Sequence, residues 1–203
     1  MNVCIVSTFS CDFEEFKELF DLSNQVIGEW CSEAELIKVN YSIPSISTGA
    51  ILRDIGNTNS DLGAKVQNYL QSGRLVPDEI IIEILVNRIS KDDCSNGFLL
   101  DGFPRTIPQA KGLNDILKNN RQKLDAVVSL TANENELIER LIKRGRDSGR
   151  SDDTPEIIKQ RQEVYWKQTS PLVNFYNNKK LLKEIDGIGE INEIKNRILE
   201  ALN

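Results

Sequence analysis

The 203-residue chain contains no histidine, one methionine and two tryptophans, and aromatic residues make up only 6% of it. The absence of histidine excludes Ser-His-Asp triads, histidine-ligated metals and imidazole acid–base catalysis. Any catalysis must therefore depend on arginine, lysine, carboxylates, main-chain groups or a metal ion.

Charge and cysteine content narrow the class further. Lysine and arginine number 25 against 31 aspartates and glutamates, a formal charge of −6, which disfavours a nucleic-acid binder that works by broad phosphate neutralisation. The four cysteines form no CxxC pair, so we expect free thiols in a reducing cytosol, with a disulfide among the first three as the alternative. No signal peptide or run of about 20 apolar residues is visible. We expect a cytoplasmic protein with no membrane or nucleic-acid partner.

Short apolar runs alternate with longer helical patterns, which predicts an α/β fold with a largely parallel sheet. The predicted strands are Val3–Val6, Phe98–Leu100, Ala126–Leu130 and Leu182–Ile185. The predicted helices lie at Asp12–Leu22, Glu33–Val39, Leu62–Leu70, Asp78–Ile89, Glu134–Arg144, Thr154–Gln168 and Ile191–Leu202. For Asp12–Leu22 we expect core packing, and a partner-binding face is the alternative. No repeat or linker divides the chain, which favours one domain with insertions.

The most informative segment, GFLLDGFPRT, spans residues 97–106. Ligand sites of parallel sheets lie beyond the carboxyl ends of strands, so Asp101 is placed for hydrated magnesium and Arg105 for a phosphate. Gln109 follows one helical turn later, where its amide can read a base edge through a donor–acceptor pair. The plainer alternative is a strand–turn–helix connection with a capping aspartate and a solvated arginine.

A second segment, IPSISTGAILR at residues 43–53, predicts a helix that begins near Gly49 with Ser47 or Thr48 as its cap. Such a terminus presents main-chain amides to an anion, and Arg53 lies about one turn along. A simple cap with a surface arginine is the alternative.

A third segment joins two helices between Gly73 and Pro77. Its apolar residues, Leu75 and Val76, could form the wall of a base pocket. A hydrophobic hinge is the alternative.

The fourth feature is an arginine array. Arg140 and Arg144 lie four apart on one predicted helical face, and Arg146, Arg150 and Arg161 follow. Fixed cations stabilise the charge of a phosphoryl group in transfer, so the array suits a polyphosphate clamp. A solvated helix face with Glu–Arg pairs is the alternative.

In this order and spacing, the four segments resemble adenylate kinases, of the nucleoside monophosphate kinase family. The resemblance runs from about Ile43 to the C-terminus. It implies a P-loop-kinase-like α/β fold, a parallel sheet with helices on both faces. It also implies one domain over residues 1–203, with a divergent region at 1–42, an AMP-binding flap at 47–76 and a short lid at 140–153 that has no room for a zinc site.

The resemblance also implies individual roles. The AMP-binding residues would be Thr48, Arg53, Leu75, Val76, Gly102, Arg105 and Gln109. The ATP-binding residues would be Arg140, Arg144 and Gly187. The catalytic residues would be Arg105, Arg144, Arg150, Arg161 and Asp101, the last orienting Mg²⁺ through water without a direct protein ligand. A monomer would convert ATP and AMP into two ADP, with Gln109 favouring AMP over UMP or CMP.

One family element is missing, the phosphate loop G-x-x-x-x-G-K-[ST], because none of the twelve glycines is followed by lysine. Family spacing places the loop at Asn24–Ser32, where Glu29 and Trp30 stand. A first strand at Val3–Val6 would place it at Ser7–Asp12, again without glycine or lysine. Ala50 also replaces an aspartate that is usual in the family.

Losing one electrostatic element of this kind costs about 3–4 kcal/mol in the transition state. Three interpretations therefore stay open. The chain is an active kinase in which arginines and a remodelled N-terminus hold ATP, a non-catalytic AMP-binding protein, or an inactive chain whose N-terminus has been replaced.

Overall fold

The computed structural model describes residues 2–9, 41–132 and 154–203, and a five-stranded sheet forms its centre. The strands are β1 (Asn2–Phe9), β2 (Ser45–Ser47), β3 (Phe98–Asp101), β4 (Ala126–Ala132) and β5 (Leu182–Asp186). Their order is β2-β3-β1-β4-β5, and every neighbouring pair is parallel. The parallel sheet is thus confirmed, with each of the four predicted strands longer than predicted. The short strand β2 was not predicted.

Helices connect these strands. In the described ranges they are α1 (Thr48–Gly56), α2 (Asp61–Gln71), α3 (Asp78–Ile89), α4 (Ile107–Asn119), α5 (Pro155–Val164), α6 (Pro171–Asn178) and α7 (Ile191–Leu202). The bounds of α3 and α7 match their predictions, and α2 contains the predicted Leu62–Leu70. The helix predicted over Thr154–Gln168 is confirmed, and its last part is π-helical: the α-helix ends at Val164 and the π-helical segment Tyr165–Thr169 continues it. The predicted helices Asp12–Leu22, Glu33–Val39 and Glu134–Arg144 lie outside the described residues.

Apolar side chains cover both faces of the sheet, as the fold class requires. On one face, Phe98 and Leu100 of β3 pack with buried residues of α3, α4 and α6. On the other face, Leu99 packs with Ile194 and Ile198 of α7. Because successive strand residues point to opposite faces, the continuous apolar run of β3 supplies both layers.

The described residues also bear on the predictions about cysteines and membrane segments. Cys94 is a free, buried cysteine at the end of the 3₁₀ turn Asp92–Cys94. Across residues 2–9, 41–132 and 154–203, no helix has both the length and the apolar character that a membrane crossing demands.

Candidate active site

The carboxyl ends of β2 and β3 meet at one edge of the sheet and bring two predicted segments together. Ser47, the last residue of β2, pairs with Asp101, the last residue of β3, and Ile5 of β1 pairs with Asp101 from the other side. Helix α1 therefore begins beside the turn that follows β3, which is the position expected for a ligand site.

Asp101, the last residue of β3, supplies a carboxylate at this edge. Within the described ranges, no three His, Cys, Asp or Glu side chains cluster as metal ligands. Magnesium commonly keeps several waters and binds through one or two carboxylates plus substrate phosphates. The residues present therefore fit a Mg²⁺ ion that arrives with a nucleotide and contacts Asp101 through water.

Three of the predicted AMP-binding residues lie around the turn at residues 101–105. The Thr48 hydroxyl donates to the carbonyl oxygens of Asp101 and Gly102, at 3.3 and 3.1 Å, and Nε of Arg105 donates to the Gly102 oxygen at 2.9 Å. Gly102 has a φ of +70°, and a Cβ there would lie 3.1 Å from Nη2 of Arg105. Glycine is required because the backbone is left-handed and the guanidinium occupies the space of a side chain.

The N-terminus of α1 adds an arginine to this edge. Ser47 is the N-cap residue, but its side chain makes no capping hydrogen bond, and Thr48 bonds to the neighbouring turn instead, so the predicted side-chain cap is wrong. The guanidinium of Arg53 lies back along the first turn, with Nη1 only 3.4 Å from where a Gly49 Cβ would be. A helix N-terminus with an arginine beside it favours an anion.

Gln109 lies almost fully buried, 3% exposed, in the first turn of α4. Its Oε1 accepts from the main-chain N–H of Arg105 at 2.7 Å, and its Nε2 donates to Oδ1 of Asp78 at 2.7 Å. Thr106, the N-cap of α4, accepts from the Gln109 N–H and donates to the same Asp78 oxygen, at 3.2 and 3.1 Å. The amide expected to read a base is therefore held at the start of α4.

The segment between α2 and α3 carries the predicted base-wall residues. Val76 is buried and Leu75 is partly exposed. Gly73, with a φ of +64°, ends the preceding turn so close to α5 that an added Cβ would lie 3.0 Å from the Ile157 carbonyl oxygen. This contact joins the base-wall segment to the helix that carries Arg161.

Helix α5 and the π-helical segment after it reach back to Arg105. The Thr169 hydroxyl, in a side chain only 5% exposed, donates to the Arg105 carbonyl oxygen at 2.8 Å. Arg161 lies in the last turn of α5, before this segment. Single π-helical turns within helices frequently occur at functional sites. The backbone of Arg105 is thus held at its N–H by Gln109 and at its carbonyl by Thr169.

The predicted ATP-binding residues are only partly described. Gly187 follows β5, and its N–H donates to the Thr131 carbonyl oxygen at 2.7 Å, at the carboxyl edge of β4 and β5. Arg140, Arg144 and Arg150 lie outside the described residues, as does the whole of the predicted lid at 140–153.

Strand β1 forms the centre of the sheet, next to Asp101 of β3. It lies between β3 and β4, and its pairing with β4 runs on to Phe9 and Ala132. The structure therefore places the predicted strand Val3–Val6 at the centre of the sheet and extends it through Ser7–Phe9. Residues 7–9 of the alternative loop position, Ser7–Asp12, are therefore strand, and the position given by family spacing, Asn24–Ser32, lies outside the described residues.

Three groups with perturbed pKa values, Arg88, Asp93 and Cys94, lie near the opposite, amino end of β3. Arg88 of α3 makes two hydrogen bonds to Asp93, at 2.9 and 2.8 Å, which lower the pKa of that carboxyl and raise that of the guanidinium. Burial raises the pKa of the neighbouring Cys94 thiol. This cluster joins α3 to the turn before β3 and is remote in the sheet from Asp101.

Two residues in this network were missed from the sequence. Asp78 follows a proline at a helix start, so its pattern indicated only a first-turn acid. Thr169 directly follows the predicted helix Thr154–Gln168, and the sequence assigned it no role. Both act through partners 31 and 64 residues away, Gln109 and Arg105, and no local signal shows such partners.

Comparison with known proteins places these features in context. A family model described as adenylate kinase matches residues 30–181. An adenylate kinase of Leptospira biflexa serovar Patoc is 44% identical over 171 residues, covering 84% of this chain and 92% of that protein. An adenylate kinase of Thermobifida fusca is 44% identical, with 84% and 90% covered. One of a Nocardioides species is 41% identical over 172 residues, with 85% and 90% covered.

Proposed function

The chain belongs to the adenylate kinase family of nucleoside monophosphate phosphotransferases, and from that premise we propose that it transfers the γ-phosphoryl group of ATP to AMP, giving two ADP. The observation that carries the proposal is the cluster of Thr48, Gly102, Arg105 and Gln109 at the carboxyl edge of β2 and β3. It combines the guanidinium of Arg105 and the start of α1, both suited to a phosphate, with a buried amide for a base.

In this proposal the phosphate of AMP lies between the start of α1 and Arg105. Arg53 and the first-turn amides of α1 attract the phosphate, and Thr48 and Gly102 shape the turn beside it. Arg105 gives the phosphate two parallel hydrogen bonds and stabilises the group in transfer. Because Gln109 holds the Arg105 N–H and Thr169 holds the Arg105 carbonyl oxygen, the guanidinium extends from a fixed main chain.

The base of AMP lies against Leu75 and Val76, and the Gln109 amide reads its edge. These residues come from two different elements that the Asp78–Gln109 hydrogen bond joins. Apolar walls with a few placed polar groups are typical of nucleotide-sized ligand sites.

The ATP half of the proposal depends on the arginines. Arg140 stacks on the ATP base, and Arg144, Arg150 and Arg161 clamp the phosphates, with Gly187 near the nucleotide. The family uses Mg²⁺-ATP. Asp101 would orient the ion through water, and the ion would supply neutralisation of phosphate charge during in-line transfer. No Gly-Lys phosphate loop contributes, so in this proposal the arginines and a remodelled N-terminus hold the β- and γ-phosphates.

The domain division follows from the same proposal. Residues 47–76 form a flap over AMP, residues 140–153 form a short lid over ATP, and residues 1–42 are the divergent part of one domain. Closure of both would exclude water from the transfer step. We propose a cytoplasmic monomer whose partners are ATP and AMP, with no nucleic acid or membrane.

The test is a coupled assay of ADP formation from ATP and AMP, with AMP binding measured by calorimetry on the same preparation. Arg105→Ala should lower turnover by about 100-fold or more, since it removes a charge donor to the transferred group. Lys111→Ala, which removes an exposed charge from the same region of α4, should retain wild-type turnover. Equal turnover in the wild-type and Arg105→Ala preparations would indicate a contaminating kinase and refute the proposal. AMP binding without turnover would refute catalysis and leave a nucleotide-binding protein.

A further inference from the structure

The amide of Gln109 is held on one side by a group that can only donate a hydrogen bond and on the other by a group that can only accept one. The main-chain N–H of Arg105 can only donate, and it donates to Oε1 at 2.7 Å. The Asp78 carboxylate accepts only, and it accepts from Nε2 at 2.7 Å. Turning the amide over would set its oxygen against the carboxylate and its NH₂ against the N–H. The structure therefore fixes which end of the amide is which.

Asp78 is itself held in place. Thr106, 8% exposed, donates its hydroxyl to the same carboxylate oxygen at 3.1 Å. Asp78 also begins α3 only two residues after Val76, the buried base-wall residue. The carboxylate thus joins the proposed wall of the base pocket to the amide that faces the base.

We propose that Asp78 is a positioning residue that determines base specificity, because it fixes the orientation of the Gln109 amide and thereby selects a 6-aminopurine over a 6-oxopurine. This inference rests on the proposed function, in which Gln109 reads the base of AMP. A carboxamide has two hydrogens and two lone pairs, and the bonds to Asp78 and Arg105 use one of each. One hydrogen and one lone pair can then meet the base.

The two purine classes need opposite orientations of this amide. At its Watson–Crick edge, adenine presents the acceptor N1 beside the donor N6, which one orientation of a carboxamide matches. Hypoxanthine presents a donor N1–H beside the acceptor O6, and only the inverted amide matches that order. Such bidentate pairs discriminate strongly, because the wrong base leaves buried polar groups without partners.

A merely structural role for Asp78 makes a different prediction. A first-turn carboxylate stabilises its helix through the helix dipole, and Glu79 is a second acid in the same turn of α3, exposed to solvent. Glu79→Gln and Asp78→Asn remove the same charge from the same turn. Base selection should change only in the second variant, because only Asp78 contacts Gln109.

The binding experiment compares AMP with inosine monophosphate, which differs from AMP only in the groups at positions 1 and 6 of the base. Calorimetry gives Kd for both ligands on wild type, Asp78→Asn and Glu79→Gln. The asparagine amide can accept or donate, so Gln109 can invert at the cost of its bond from the Arg105 N–H and of the bond that the Thr106 hydroxyl donates to residue 78. We expect the ratio of Kd for inosine monophosphate to Kd for AMP to fall about tenfold in Asp78→Asn, equivalent to roughly 1.4 kcal/mol. The ratio should not change in Glu79→Gln.

A ligand-free measurement tests the fixed amide directly. In NMR spectra assigned with Gln109→Ala, the side-chain hydrogens of Gln109 should exchange slowly with solvent in wild type and Glu79→Gln, and faster in Asp78→Asn. Rapid exchange in the wild type would overturn the inference even if Asp78→Asn does not fold. Equal weakening of both ligands in Asp78→Asn, or an unchanged ratio, would also overturn it while leaving AMP binding intact. Absence of AMP binding by the wild type would instead refute the proposed function, and this inference with it.

Discussion

Replacing Gly63 with alanine should destabilise the contact between α1 and α2, the two helices of the proposed AMP flap. Gly63 is buried in the first turn of α2, facing the loop that joins the helices. A Cβ there would lie 2.5 Å from the Thr58 carbonyl oxygen and 2.7 Å from the Ile55 carbonyl oxygen. Such distances are far inside van der Waals contact, so one helix must move.

The size of the stability loss depends on how far the loop between α1 and α2 can move to make room for the new methyl group. Thr58 is fixed to Ile55 by its N–H at 3.0 Å and by its hydroxyl at 2.7 Å, so both carbonyls belong to a hydrogen-bonded turn. Overpacking of this kind typically costs about 1–3 kcal/mol. Because two backbone oxygens obstruct the new methyl group, we take the upper end of that range. The higher helix propensity of alanine offsets up to about 1 kcal/mol of this loss in the free energy of unfolding. The expected net loss is about 2 kcal/mol.

Thermal denaturation measures this loss, and Gly56→Ala is the matched control. A Cβ at Gly56 would meet the end of a flexible side chain, Oε1 of Gln67, at 2.8 Å, and that group can rotate away. For a chain of this size, about 2 kcal/mol lowers the Tm by roughly 4–8 °C. Gly56→Ala should leave it nearly unchanged. Hydrogen exchange should show the effect of Gly63→Ala concentrated in residues 48–71. A Gly63→Ala protein that melts at or above the wild-type temperature would refute the packing argument.

Two further predictions concern the hydrogen bond that supports Arg105 and the dependence of protein stability on acid pH. Thr169→Val removes the 2.8 Å hydrogen bond to the Arg105 carbonyl while keeping side-chain shape, so denaturation should show a loss of about 1 kcal/mol, and AMP affinity should fall; an unchanged affinity would show that this bond does not position Arg105. The hydrogen bonds from Arg88 lower the pKa of Asp93, so the stability that the pair contributes is present above about pH 5 and is lost as pH falls below about 4. The difference in Tm between wild type and Asp93→Asn should therefore narrow as the pH falls from 5 to 2, and a constant difference would contradict the ion-pair assignment.

Much of the fold was predictable because its signals are local. Pro77 and the apolar pattern after it place α3, and the apolar run at residues 98–100 places β3. The strand β2 escaped prediction because three residues, Ser45–Ser47, carry almost no periodicity. It exists because Ile46 packs into the core and the strand pairs with β3. The sequence also did not indicate that Tyr165–Thr169 is π-helical, since helix propensity does not distinguish an α-helical from a π-helical turn.

The candidate site was predictable residue by residue but not as an arrangement. Sequence motifs indicated Thr48, Arg105 and Gln109 with their chemistry, since strand ends, helix starts and arginines carry that information locally. They did not indicate that Gln109 is tied to Asp78 or that Thr169 supports Arg105, because these contacts depend on how separate elements pack.

The sequence by itself determined the α/β character of this protein, the chemistry of the turn after β3 and the absence of a Gly-Lys phosphate loop. These are properties of residue type and short spacing, which survive in any conformation of the chain. Only the tertiary structure decided the strand order, the central place of β1 and the fixed orientation of the Gln109 amide. Hydrogen bonds between residues far apart in the chain form only when the sheet and its helices have packed, and packing is a property of the whole chain.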